Sequence, residues 1–326
     1  MALMDRLTTP GRPARRLGCW SKIAKTSQLA FVAIQAVVVL AVSCGGGQGP
    51  EVIPPGFPVT VERADGGKLT FDRPPQRIVS LSPGHTEILF TIGVGDRIIA
   101  VDSGSDFPSE TEGKTKIDLT PLDEETLTGL APDLVIIMDG PVDAVRSLDE
   151  LGLPVLWLER PDSLSAVFNQ IDVLGEVTDR VDQSDLLIDE MDGRFLAVLV
   201  EVGATVGPRV YHELDDDLRT VSPDTFTGEM YLILNATIVT DDAQQSSSQL
   251  TIGEIVEADP EVIIVAHRGA SPESIKARPG WQGISAVRED RIYAIDPGVV
   301  NRPGPRLADG LETLANLLYP DLFPVP

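Results

Sequence analysis

Short β-branched runs, apolar at consecutive positions and each followed by a stretch at helical spacing, recur along most of this chain. Residues 77–81 lead into 86–92, 134–138 into 142–151, and 155–158 into 163–175, with a further run at 98–101. A strand that is apolar on every residue is buried on both faces, and helices between such strands imply a parallel sheet. Ahead of them, 59–61 and 69–71 flank Ala64-Asp65-Gly66-Gly67, which predicts a small β-hairpin turned at Asp-Gly.

The stretch 178–202 has no proline and only Gly193 inside it. Its apolar residues Val181, Leu186, Leu187, Met191, Phe195, Leu199 and Val202 keep helical spacing. Such a helix is about 37 Å long at 1.5 Å per residue, and it predicts a spacer between two lobes. The pattern then restarts: strands at 209–214, 238–240, 262–266 and 291–295, helices near 226–235, 252–258 and 306–318. A weak internal echo links the halves. Glu124-Glu125 through Pro132 to Ile137, and Gly253-Glu254 through Pro260 to Val265, each read as a short acidic helix, a proline turn and a buried strand.

The first 43 residues have a separate logic. Six Lys and Arg against one acid precede LAFVAIQAVVVLAV at 29–42, and small residues end at Ser43-Cys44. A basic region, a short apolar stretch and a small-residue cleavage site predict a secretory signal over 1–43. Ala41-Val42-Ser43-Cys44 resembles a bacterial lipobox, which implies a lipid on Cys44 and an extracytoplasmic chain held at a membrane. Residues 44–58, rich in Gly and Pro, predict a tether. The lobes are then expected at 59–177 and 205–326, joined by the helix 178–204. The only other cysteine, Cys19, is lost with the signal, so no intramolecular disulfide is available. The whole chain carries a formal net charge of −24. Removing a basic leader makes the remainder more acidic still, which excludes nucleic-acid backbone binding as the main activity.

Catalytic motifs are missing. There is no GxSxG elbow, no HExxH and no CxxC pair. Gly113-Lys114-Thr115 imitates the end of a phosphate loop, but Pro108 stands where its first glycine belongs. These observations point to a binding protein and not to an enzyme. The three histidines, His85, His212 and His267, each follow or end a predicted buried strand. In open α/β sheets that edge is where ligands bind, and imidazole suits transition metals. A bare metal-ion site on His85, His212 and His267 is therefore one reading.

The run PQRIVSLSPGHTEIL at 75–89 resembles the opening of the iron-chelate and cobalamin class of periplasmic binding proteins. So do LAPDLVI at 130–136, PGWQ at 279–282, DRIY at 290–293 and RPGPR at 302–306. The resemblance implies the class III fold, two Rossmann-like α/β lobes bridged by one long α-helix. It also implies a lipid-anchored monomer that hands a metal chelate (an iron siderophore, haem or a corrinoid) to an ABC permease with its ATPase. No cofactor and no nucleic-acid partner are expected. Glu125 and Glu254 fit the positions at which members of the class dock onto the permease. The ligand is expected between Ser82, His85, Asp139, Arg160, His212, Glu213, Arg219, His267, Arg268, Asn301 and Arg302. Arginines there suit anionic chelates, and the cleft loops lack the aromatic residues that stack on a corrin. A free metal ion as ligand, and a receptor sensing a ligand for a signalling partner, stay open at this point.

Overall fold

All four residues of Ile78–Leu81 and all four of Val262–Val265 are buried, so each strand lies inside a sheet covered on both faces. The computed structural model describes residues 54–138, 140–240 and 249–323. The expected signal, Cys44, most of the tether and Asp139 lie outside the described residues.

The hairpin forms from β1 (Val59–Glu62) and β2 (Lys68–Phe71), antiparallel with Val59 opposite Phe71. The first half continues with β3 (Ile78–Leu81), α1 (Pro83–Thr91), β4 (Ile98–Val101), β5 (Thr115–Lys116), α2 (Glu124–Gly129), β6 (Leu134–Met138), α3 (Val142–Glu150), β7 (Val155–Leu158) and α4 (Leu164–Thr178). After the long α5 (Val181–Val202) come β8 (Arg209–Glu213), α6 (Phe226–Ile233), β9 (Thr237–Ile238), α7 (Ile252–Ala258) and β10 (Val262–Val265). The chain closes with α8 (Pro272–Lys276), α9 (Ser285–Arg288), β11 (Ile292–Ala294), α10 (Pro297–Val300) and α11 (Leu307–Leu318). Two sheets result, ordered β5-β4-β3-β6-β7 and β11-β10-β8-β9, with every pairing parallel.

The echo seen in the sequence has a physical counterpart. The helices α2 and α7 both give way to a left-handed residue, Ala131 (φ 44°) and Asp259 (φ 43°), immediately before Pro132 and Pro260. An acid then ties the foot of one strand to the next. Asp133 accepts the backbone N–H of Arg77 at 2.7 Å, and Glu261 accepts that of Arg209 at 2.9 Å. The guanidinium of each arginine returns to the helix end, Arg77 to the Leu130 and Ala131 carbonyls and Arg209 to the Asp259 carbonyl. One device therefore sets the register of β3 beside β6 and of β8 beside β10.

The long helix begins at Val181, three residues later than its sequence periodicity predicts. The reason is Asp179, which takes a left-handed conformation (φ 58°), ends α4 and reverses the chain. The two helices then pack so closely that a Cβ on Gly175 would sit 2.1 Å from Ser184 Oγ. The buried face of α5, with Leu187, Met191, Phe195, Val198 and Val202, joins one apolar cluster that holds Ile78 and Leu134 of the first sheet and Val210 and Ile264 of the second. Arg194 adds ion pairs to Asp309 (2.6 Å) and Glu312 (2.7 Å) on α11. A core continuous through a rod of this kind resists independent movement of the two sheets.

Phe195 is central to that packing, buried and stacked on Phe168 with centroids 6.1 Å apart. Phe195→Ala is expected to lower the unfolding free energy by about 3–5 kcal/mol, read as a fall in the urea midpoint.

Candidate functional site

The loops that follow β3 and β4 of the first sheet meet the segment 301–306 and the loop after β10 of the second. Their centre is Glu87 on α1. Its side chain is 1% exposed, yet it is a carboxylate. Arg306 grips it with two bonds, Nε to Oε2 at 2.9 Å and Nη2 to Oε1 at 2.7 Å. Arg302 Nη1 donates to Oε1 at 2.7 Å. A buried carboxylate is tolerable only with such partners, and two guanidiniums supply them from more than 200 residues away. Pairing with Glu87 in turn stabilises the charged form of Arg306.

Arg302 reaches further. It donates to Asp106 Oδ1 at 2.9 Å and to the Gly104 carbonyl at 3.2 Å. Arg268 takes the other oxygen of Asp106 at 2.9 Å. Burial opposes ionisation of Asp106, but hydrogen bonds from Arg302 and Arg268 overcome it and hold the carboxyl below its usual range. Arg306 lies over the Phe107 ring at 4.2 Å and also meets Asp296 at 3.2 Å. The backbones touch as well: a Cβ on Gly84 would lie 2.2 Å from the Pro303 carbonyl oxygen, so only glycine fits there.

A polar seam runs beneath these ion pairs. Ser105 Oγ is within hydrogen-bond reach of Asp102 and of Thr86 Oγ1, which donates to Ser80 Oγ at 2.8 Å. Burial raises the Asp102 carboxyl against its hydrogen bonds from Ser105 and Gly104. Two buried atoms at the start of α1, Ser82 Oγ and His85 Nδ1, have no partner among the described residues. Buried polar atoms are seldom left so.

The histidines are set apart by burial. His85 and His212 are both fully buried. His85 Nε2 meets Gln170 Oε1 at 2.9 Å. Tyr231 donates to His212 Nδ1 at 2.7 Å, and His212 Nε2 donates to Asn301 Oδ1 at 3.2 Å. His267 accepts from the Gly269 N–H and donates from Nε2 to Glu213 at 2.9 Å. Thus His212 faces the core of its sheet and Asn301 serves it, donating in turn to the Ala266 carbonyl at 3.1 Å. Glu213 is buried too, and it is saturated by both arms of Arg278, by His267 and by Tyr211. Among the described residues, no cluster of ligand atoms brings His85, His212 and His267 together. Among the described residues, ligand atoms do cluster within 4.8 Å at Glu213, Asp216 and His267. Two of those three side chains, however, are already committed to protein partners.

Of the other expected residues, Arg219 is exposed and paired with Asp215 at 3.4 Å, and Arg160 is exposed at the end of β7. Glu125 is exposed in the first turn of α2. Glu254 is exposed but serves its own helix, accepting the backbone N–H and hydroxyl of Thr251, each at 2.7 Å, in a capping box that lowers its pKa. A surface hollow of about 400 Å³ lies elsewhere, lined by Glu62, Arg63 and Glu159 among others. Sequence reading missed Glu87, Asp106 and Arg306. The signal for Glu87 and Arg306 was an acid next to Ile88-Leu89-Phe90, together with two arginines bracketing Pro-Gly-Pro.

The sequence pattern of the family described as periplasmic binding protein matches residues 78–299. An uncharacterized ABC transporter substrate-binding lipoprotein of Bacillus subtilis (strain 168) is 33% identical over 277 residues, which cover 82% of this chain and 87% of that protein. A vitamin B12-binding protein of Vibrio parahaemolyticus is 24% identical over 245 residues, 74% of this chain and 88% of that one. The crystal structure of a possible iron-binding (periplasmic solute-binding) protein from Staphylococcus epidermidis superposes with a TM-score of 0.68 at 29% identity, covering 76% of this chain and 100% of the other.

Two predictions follow from the buried groups. Glu87→Ala leaves two guanidiniums without their carboxylate and is expected to cost about 3–5 kcal/mol in urea unfolding. Desolvation lowers His85 and His212 to about 4, so both are neutral when folded. The unfolded chain takes up protons first, near pH 6.5, so stability falls as the pH drops below that value and levels off near 4. Between pH 7 and pH 5 the expected loss is about 2 kcal/mol per histidine. An unchanged urea midpoint over that interval would contradict it.

Proposed function

The chain belongs to the periplasmic binding protein family, and from that membership we propose that it is a lipid-anchored, extracytoplasmic solute-binding protein that delivers a metal chelate to an ABC importer. The observation that carries the reading is the meeting of strand-end loops from both sheets around Glu87, Asp106, Arg268 and Arg302, at the edge where open parallel sheets hold ligands. The named relatives support it. One is a substrate-binding lipoprotein of an ABC transporter, and another binds vitamin B12.

In this reading residues 59–177 and 205–326 are the two lobes. The cargo rests between them against Ser82, Arg160, Arg219, Arg268 and Arg302. Ser82 Oγ and His85 Nδ1 offer hydrogen bonds that no atom of the described residues takes. His212, Glu213, His267 and Asn301 hold the floor in shape beneath the cargo. No bond is made or broken; the chemistry is binding and release, helped by a site whose walls are fixed before the ligand arrives. The chain acts as a monomer. Glu125 and Glu254 meet arginines of the permease; exposed pairs contribute little each, but two at a fixed separation set the docking register. Cys44 carries the lipid.

The decisive experiment is a visible absorption spectrum of the purified chain after incubation with haem, cyanocobalamin or ferric siderophores and desalting. A chromophore retained near one equivalent is the expected result. Retention of none, with zinc raising the melting temperature instead, would replace the chelate reading by a metal-ion one. Cys44→Ser is expected to move the chain from the membrane to the soluble extracytoplasmic fraction. Glu125→Lys is expected to abolish stimulation of the importer's ATPase without altering chelate retention.

A further inference from the structure

Three of the four arginines that the sequence offers to an anionic cargo, Arg219, Arg268 and Arg302, are already paired with acids. Arg302 and Arg306 are bound to Glu87, Arg302 and Arg268 to Asp106, and Arg306 also to Asp296. Arg278 is held by Glu213 and Arg219 by Asp215. Burial separates the strong pairs from the weak. Arg268 is 79% exposed on an exposed acid and can turn away at little cost. Arg302 and Arg306 are 17% and 15% exposed, and their shared partner Glu87 is 1% exposed. An anion recruiting either arginine would strip a buried carboxylate of its counter-charge, and that penalty opposes binding. Meanwhile Asp102 adds an acid to the loop after β4, Asp216 stands beside Gly269 of the loop after β10, and the chain as a whole stands at −24. The potential over the site therefore disfavours approach of a polyanion before any contact is made.

We infer that the charge pattern around Glu87 and Asp106 selects a neutral or cationic metal chelate and rejects a polyanionic one. The inference rests on the solute-binding reading above and narrows its cargo class. Glu87 and Asp106 become specificity-determining residues: each occupies guanidinium donors that a siderophore carboxylate or catecholate would otherwise use.

Equilibrium dialysis of the full chain in detergent tests this with three probes that differ in charge: neutral cyanocobalamin, the monocationic ferric complex of desferrioxamine B, and the trianionic ferric complex of enterobactin. The trianion is expected to bind about 100-fold more weakly than the better of the other two. Binding of the trianion as tightly as, or tighter than, both others overturns the charge inference and leaves the solute-binding reading intact. Retention of none of the three overturns the charge inference, and absence of haem retention as well overturns the solute-binding reading. Glu87→Gln and Asp106→Asn are expected to shift the ratio toward the trianion by about tenfold each. Should Glu87→Gln unfold, as judged by circular dichroism, Asp106→Asn at its exposed position decides: an unchanged ratio there overturns the assignment.

Discussion

One buried carboxylate organises the junction between the two sheets. Glu87 is the fifth residue of α1, on its buried face, and it survives there because Arg302 and Arg306 arrive from the far end of the chain. Neither side of this arrangement is stable alone. The carboxylate without its arginines is an unpaired buried charge, and the arginines without it are crowded, partly desolvated cations. The pairing therefore fixes how the RPGPR segment lies on α1, and the contact of Gly84 with the Pro303 carbonyl follows from it. Arg302, once anchored, extends to Asp106 and the Gly104 carbonyl and so places the loop after β4.

The remainder of the architecture keeps that junction from drifting. Each half builds its central strand pair with the same acid-to-backbone tie, Asp133 to Arg77 and Glu261 to Arg209. The two halves then share one apolar cluster along α5. A receptor assembled this way holds its loops close to their working positions and spends little binding energy on ordering them. None of the helices among the described residues is long and apolar enough to cross a membrane. Attachment to a membrane, in the function proposed here, falls to the lipid on Cys44.

Much of the fold was legible because buried parallel strands have a one-dimensional signature: apolar at every position, flanked by helical periodicity and closed by proline or glycine. The start of the long helix was not, since nothing local says that Asp179 will turn left-handed and reverse the chain. Family motifs pointed to Arg302 and Ser82, and both lie at the junction. The burial of the histidines was not legible, for a geometric reason. Standing at the end of a strand does not say which face a side chain takes, and in β8 the fourth residue, His212, turns into the core toward Tyr231. Glu87 was hidden for the opposite reason. Its partners are more than 200 residues away, and a charge on a buried helix face reveals its meaning only when the fold brings the counter-charges to it.

The proposed function requires that cargo sits at this junction. Hydrogen–deuterium exchange of the purified chain, with and without a retained chelate, locates the cargo directly. Slower exchange confined to residues 82–87, 102–107, 266–269 and 301–306 is the result expected. Protection elsewhere, for instance around the hollow at Arg63 and Glu159, with these four segments unchanged, would contradict it.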